Sequence, residues 1–124
     1  MATTTLDNSY VTYKVVVETD LGSATLQNIT NGAAKVYSIF VDNTANGSDL
    51  SVLKLYDNLV DGGIDVDATQ VDYKFIIAAG VRRLLSFPTG LTIANGLSLR
   101  CVQSAALENT GDPSNSVIVT VVYA

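Results

Sequence analysis

The sequence predicts an all-β fold, an antiparallel β-sandwich of about eight strands, and three observations carry that prediction. Short segments rich in Val, Ile, Leu, Tyr and Thr recur along the chain. Turn chemistry separates them: Asn31-Gly32, Asn46-Gly47, Gly62-Gly63, Pro88-Thr89-Gly90 and Asn95-Gly96. Asn and Gly tolerate positive φ, and Pro withdraws a ladder donor. Finally, no segment keeps a helical period beyond a single turn in the Asp-rich loop or near 105–108.

In chain order, residues 1–9 are polar and Thr-rich and read as a flexible N-terminal arm; residues 10–124 form one sandwich domain. YVTYKVVVE at 10–18 is a strand, because β-branched and aromatic residues dominate it. A weaker strand over 24–29 ends at Asn31-Gly32. Residues 35–58, KVYSIFVDNTANGSDLSVLKLYDN, read as a long central hairpin. Alternation puts Tyr37, Ile39, Val41, Leu53 and Leu55 on one apolar face, with Ser38 and Lys54 outward. DNTANGSD at 42–49 supplies the turn. VDYKFIIA at 71–78 is a strand with Val71, Tyr73 and Phe75 on one face. VRRLLSF at 81–87 follows the Ala79-Gly80 turn and ends at Pro88. After a short piece at 91–93 comes LSLRCVQ at 97–103, with Leu97, Leu99 and Cys101 toward the core and Ser98 and Arg100 outward. Residues 104–115 are a surface loop, and SVIVTVVY at 116–123 reads as a central strand buried on both faces.

FVDN at 40–43, LKLYDN at 53–58, FPTG at 87–90, ANGLSL at 94–99 and the closing apolar strand give the chain a family likeness. Over 36–123 it resembles small virion structural proteins of tailed bacteriophages. Those are β-sandwich, often jelly-roll, subunits that decorate or cement the capsid. The resemblance implies a jelly roll, and a non-enzymatic capsid decoration or cement subunit that binds and stabilises the major capsid protein shell. It further implies self-association as a homotrimer and a place on the capsid surface of the virion, assembled in the host cytoplasm. No catalytic residues carry over. Two alternatives share the fold: a receptor- or carbohydrate-binding module of a tail or fibre, and a head–tail or tail component.

Composition agrees with an assembly role. Apolar residues make up 48% of the chain and charged ones 15%, against about 25% in an average soluble domain. No run approaches the roughly 18 apolar residues of a membrane helix, so the excess apolar surface points to burial between subunits, and no membrane partner is expected. The net charge is −5 and Arg82-Arg83 is the only adjacent basic pair, which excludes nucleic acid as an expected partner. The start of the chain shows no basic segment followed by an apolar one, so the sequons at Asn28 and Asn46 carry little weight.

Chemistry is sparse. The chain has no His and a single Cys, Cys101, which removes His-based triads, a Cys metal cluster and any internal disulfide. Cys101 is expected to be buried as a small hydrophobe. No phosphate-cradling glycine motif occurs, so no cofactor is expected. Asp61, Asp65 and Asp67, with Asp57, form the most acidic stretch and are the metal candidates, for Ca²⁺. No Glu closes an EF-hand spacing, and a solvated acidic loop is the competing reading. Asp65 and Asp67 would share a face if extended, yet no catalytic residue is assigned and the chain is read as a non-enzyme.

Overall fold

The computed structural model describes residues 2–7, 12–21, 27–59, 64, 71–103 and 111–124. Among these residues the secondary structure is entirely β, in two antiparallel sheets. The strands are β1 (Ala2–Asp7), β2 (Thr12–Leu21), β3 (Gln27–Asn28), β4 (Ala34–Asp42), β5 (Ser51–Asp57), β6 (Tyr73–Ile77), β7 (Arg82–Ile93), β8 (Leu97–Val102) and β9 (Val117–Tyr123). One sheet has the order β1-β2-β9-β4-β7; the other has β3-β8-β5-β6. The pairs β2–β9, β3–β8, β4–β7 and β5–β6 are nested, so the chain lies like one long folded ribbon.

Inward residues of both sheets meet in a single core. Val16, Val36, Ile39, Val41, Val117, Val119 and Val121 come from the five-stranded sheet. Leu53, Leu55, Ile77, Leu97, Leu99 and Cys101 come from the other. Burying each larger side chain contributes about 1.5–3 kcal/mol, which is what holds two sheets face to face.

The expected central hairpin is corrected here. β4 and β5 do not pair; they lie in opposite sheets, and the 43–50 connection crosses the sandwich. Their apolar faces meet across the core, which satisfies the same alternation that a hairpin would. Tyr37 also changes sides. A register shift between Val36 and Ser38 puts Val36 in the core and leaves Tyr37 half-buried outside the core cluster. Opposite this point β7 carries the extra residues Phe87 to Gly90, so Pro88 sits in a bulge and does not end the strand. Gly90 has φ of +83°, and a Cβ there would lie within 3.3 Å of the Lys35 and Tyr37 side chains.

Three more expectations shift. The segment read as a flexible arm contains β1, which pairs with β2 from Ala2↔Val17 to Asp7↔Thr12. β9 is central, between β2 and β4, but Ile118 on its outer face is exposed. The strands buried on both faces are β5, from Ser51 to Tyr56, and β8, from Leu97 to Val102. Lys54, Ser98 and Arg100, expected outward, do point away from the core yet have no exposure. Alternation reports the face of a strand, not whether that face meets water.

Candidate functional site

The outer face of the five-stranded sheet is the surface that the fold leaves available. Register places Val17, Thr120, Phe40 and Leu84 in one row across β2, β9, β4 and β7. Val15, Val122, Ser38 and Ser86 form the next row. Strands stand about 4.8 Å apart, so each row runs about 14 Å. Leu84 is 62% exposed, and Phe40 and Ile118 are exposed as well. The rows themselves carry no charge. At their border Asp42 accepts a hydrogen bond from Arg82 Nε at 3.2 Å, which pairs the two nearest charges with each other. Bonds from the Thr44 hydroxyl and amide, aided by Arg82, hold the Asp42 carboxyl below its ordinary range. A field of apolar and hydroxyl side chains with exposed Phe40 and Leu84, bordered by paired charges, fits a protein contact surface.

The β6 and β7 edges are less inviting. Arg83 Nη1 donates to the Ile76 carbonyl at 2.7 Å, tying β7 to the edge strand β6. The Pro88 bulge interrupts the free side of β7, and Arg82 and Arg83 stand at its beginning. Charges, bulges and Pro are devices that discourage strand addition at an edge. The flat face is therefore a better contact candidate than the β6 or β7 edge.

The other sheet's outer face carries a cationic row. Lys54 stands opposite Arg100 on one side and Lys74 on the other. Lys54 and Arg100 are fully buried, as is Tyr56 next along β5. Burial pushes the Tyr56 phenol up, against the opposing pull of the Arg100 guanidinium. Lone Lys and Arg residues in sequence gave no signal of this, because cross-strand adjacency is set by register.

No protein-family model matches this chain, and no curated protein matches it.

The sequence candidates are distributed as follows. Asp61, Asp65 and Asp67 lie outside the described residues. Among the described residues, no three His, Cys, Asp or Glu side chains cluster as metal ligands. Asp57 is engaged in structure: its carboxylate accepts bonds from the amides of Ala94 at 2.9 Å, Asn95 at 2.8 Å and Gly96 at 3.4 Å. Partial burial alone raises its pKa; the three amide bonds outweigh that and hold it below the ordinary value. Cys101 is fully buried and its thiol is pushed up to about 12 by desolvation, so it stays protonated and inert at neutral pH. Asn46, the second sequon, is also buried; its side-chain amide donates to Asn43 Oδ1 and the Asn115 carbonyl, both at 2.9 Å. That engagement leaves its nitrogen inaccessible to glycosylation in the folded chain.

Proposed function

We propose that this chain is a non-enzymatic virion structural protein, a decoration or cement subunit that binds the capsid shell of a tailed bacteriophage. The observation that carries the reading is the outer face on which Phe40, Leu84 and Ile118 are exposed, with the charges of Asp42 and Arg82 in the Ile118 row paired to each other. Such a face gains by burial against another protein, at about 25 cal/mol per Å² of apolar surface removed from water. The nested strand order favours reading the sandwich as a jelly roll, the fold implied by the resemblance of 36–123 to phage decoration proteins. Many copies, each adding a modest contact, would raise the resistance of the shell by mass action. Self-association as a homotrimer belongs to the same proposal, with the major capsid protein as partner.

Capsid co-sedimentation tests it directly. Leu84→Lys should abolish occupancy on capsids while the purified variant keeps its unfolding midpoint, because Leu84 is 62% exposed. Full occupancy by the charged variant would sink the proposal. Light scattering on the free protein measures the oligomer separately, and a concentration-independent monomer would remove the trimer from it.

A further inference from the structure

Each sheet ends in two edge strands, β1 and β7 in one and β3 and β6 in the other. Three of these are guarded or short. β7 carries the Pro88 bulge with Arg82 and Arg83. β6 contains Lys74, and its Ile76 carbonyl accepts from Arg83 Nη1. β3 has only 2 residues. β1 has none of these features. It runs for 6 residues, ATTTLD, without Pro or Gly, and its one charged residue, Asp7, stands at the end. It pairs with β2 from Ala2↔Val17 to Asp7↔Thr12 with no register shift. Among the described residues, no strand lies on its other side.

The geometry of an antiparallel pair decides what such an edge offers. Residues alternate between exchanging both backbone bonds with the partner strand and turning N–H and C=O the other way. Every second residue of β1 therefore presents a donor and an acceptor beyond the sheet. Thr3, Thr4 and Thr5 are β-branched and suit an extended backbone. A regular edge without Pro, bulge or internal charge is a template for a further strand.

The occupant follows from the same comparison. In a second copy of this chain, the edge free of bulge, Pro and internal charge is again β1, and a strand can pair with its own copy about a two-fold axis. Full antiparallel overlap sets Thr4 opposite the second copy's Thr5, Thr3 opposite its Leu6 and Ala2 opposite its Asp7. The two Asp7 residues then lie at opposite ends of the pairing, about 17 Å apart along the strands. That exceeds the Debye length of about 8 Å at physiological ionic strength, so their charges do not oppose it. We propose that β1 pairs with β1 of a second copy, joining two five-stranded sheets into one continuous sheet. The assignment does not rest on the capsid reading, and its two-fold contact is distinct from the three-fold association proposed above.

Light scattering on the full chain over a concentration series tests the proposal, with Thr4→Lys/Thr5→Lys and Thr4→Glu/Thr5→Glu as paired variants. The wild-type mass should be an even multiple of one chain. Each variant puts like charges opposite each other in the self-paired register, so each should weaken pairing at least about tenfold and halve the native mass. Mixing the two variants sets Lys opposite Glu and should restore the wild-type mass. On the wild-type chain, the outward amides of β1 should exchange hydrogen more slowly as concentration rises. An odd multiple of one chain, variants that keep the wild-type mass, a mixture that stays at half mass, or exchange rates independent of concentration would each overturn the proposal. A wild-type monomer that loses capsid occupancy through Thr4→Lys/Thr5→Lys would overturn it too, and would assign the edge to a strand of the shell.

Discussion

The two ends of the sandwich solve the same problem in opposite ways. Each must gather loops that cross between sheets and satisfy their backbone groups. At one end, Asn43 is fully buried, and its side-chain amide donates to the carbonyls of Asp49 at 3.2 Å and Ala78 at 3.1 Å. Its Oδ1 accepts from Asn46 Nδ2 at 2.9 Å and Ser51 Oγ at 2.8 Å. Asn46 extends the network to Asn115, whose amide donates to Asn46 Oδ1 at 2.7 Å. Neutral amides thus bind three loops together around the buried side chains of Asn43, Asn46 and Ser51. At the other end, the Asp57 carboxylate holds the β7–β8 turn through amide bonds near the surface. One end is held by a neutral network with a buried centre; the other is held by a charged anchor near the surface. The difference teaches that a buried polar network is costly to breach, whereas a surface anchor responds to solvent.

Breaking the neutral network should have the largest effect. Asn43→Ala leaves several buried groups without partners and should cost about 3 kcal/mol in urea unfolding. A loss below about 1 kcal/mol would mean that water replaces the network, and the contrast between the ends would fail. Gly96→Ala comes next. Its φ is +145°, and an added Cβ would run into the Leu59 side chain and lie 3.1 Å from the Thr30 carbonyl oxygen. A loss of about 1–3 kcal/mol is expected from the same measurement.

Asp57→Asn sharpens the comparison through pH. At neutral pH it should cost about 1 kcal/mol, a value kept small by solvent screening. The folded-state pKa of Asp57 is lowered, so its contribution is present above the unfolded value near about 3.9 and is lost as pH falls through the folded one. The gap between wild type and Asp57→Asn should therefore close in acid, while the cost of Asn43→Ala should persist across the same range. Parallel curves for the two variants would refute the distinction. The smallest effect is expected at Leu84→Ser, where exposure of 62% predicts a change in monomer stability within about 0.5 kcal/mol.

Much of this was legible in the residues. Composition and alternation located strands at 10–18, 71–78, 97–103 and 116–123 and within 35–58, close to β2, β6, β8, β9, β4 and β5, and alternation assigned Ile39, Val41, Leu53, Leu55, Leu97, Leu99 and Cys101 to the core. Turn residues at Gly80 and Gly96 were read correctly, and both have positive φ. The contact face was not legible. It joins residues from strands remote in sequence, such as Phe40 with Leu84, and only register makes them neighbours. DNTANGSD was read as a turn, which hid the role of Asn43 and Asn46 in binding loops as distant as Asn115.

The sequence by itself determined the β class, the strand-forming segments and most inward side chains, because these follow from local sterics and a period of two. It also determined that the chain lacks His and carries one Cys. Tertiary structure alone decided that β4 and β5 belong to opposite sheets, that Val36 displaces Tyr37 from the core, and that Lys54 and Arg100 are buried. The physical reason is that backbone hydrogen bonds are the same for any strand pair. Partner and register are chosen by the collective packing of side chains that the chain brings together only on folding.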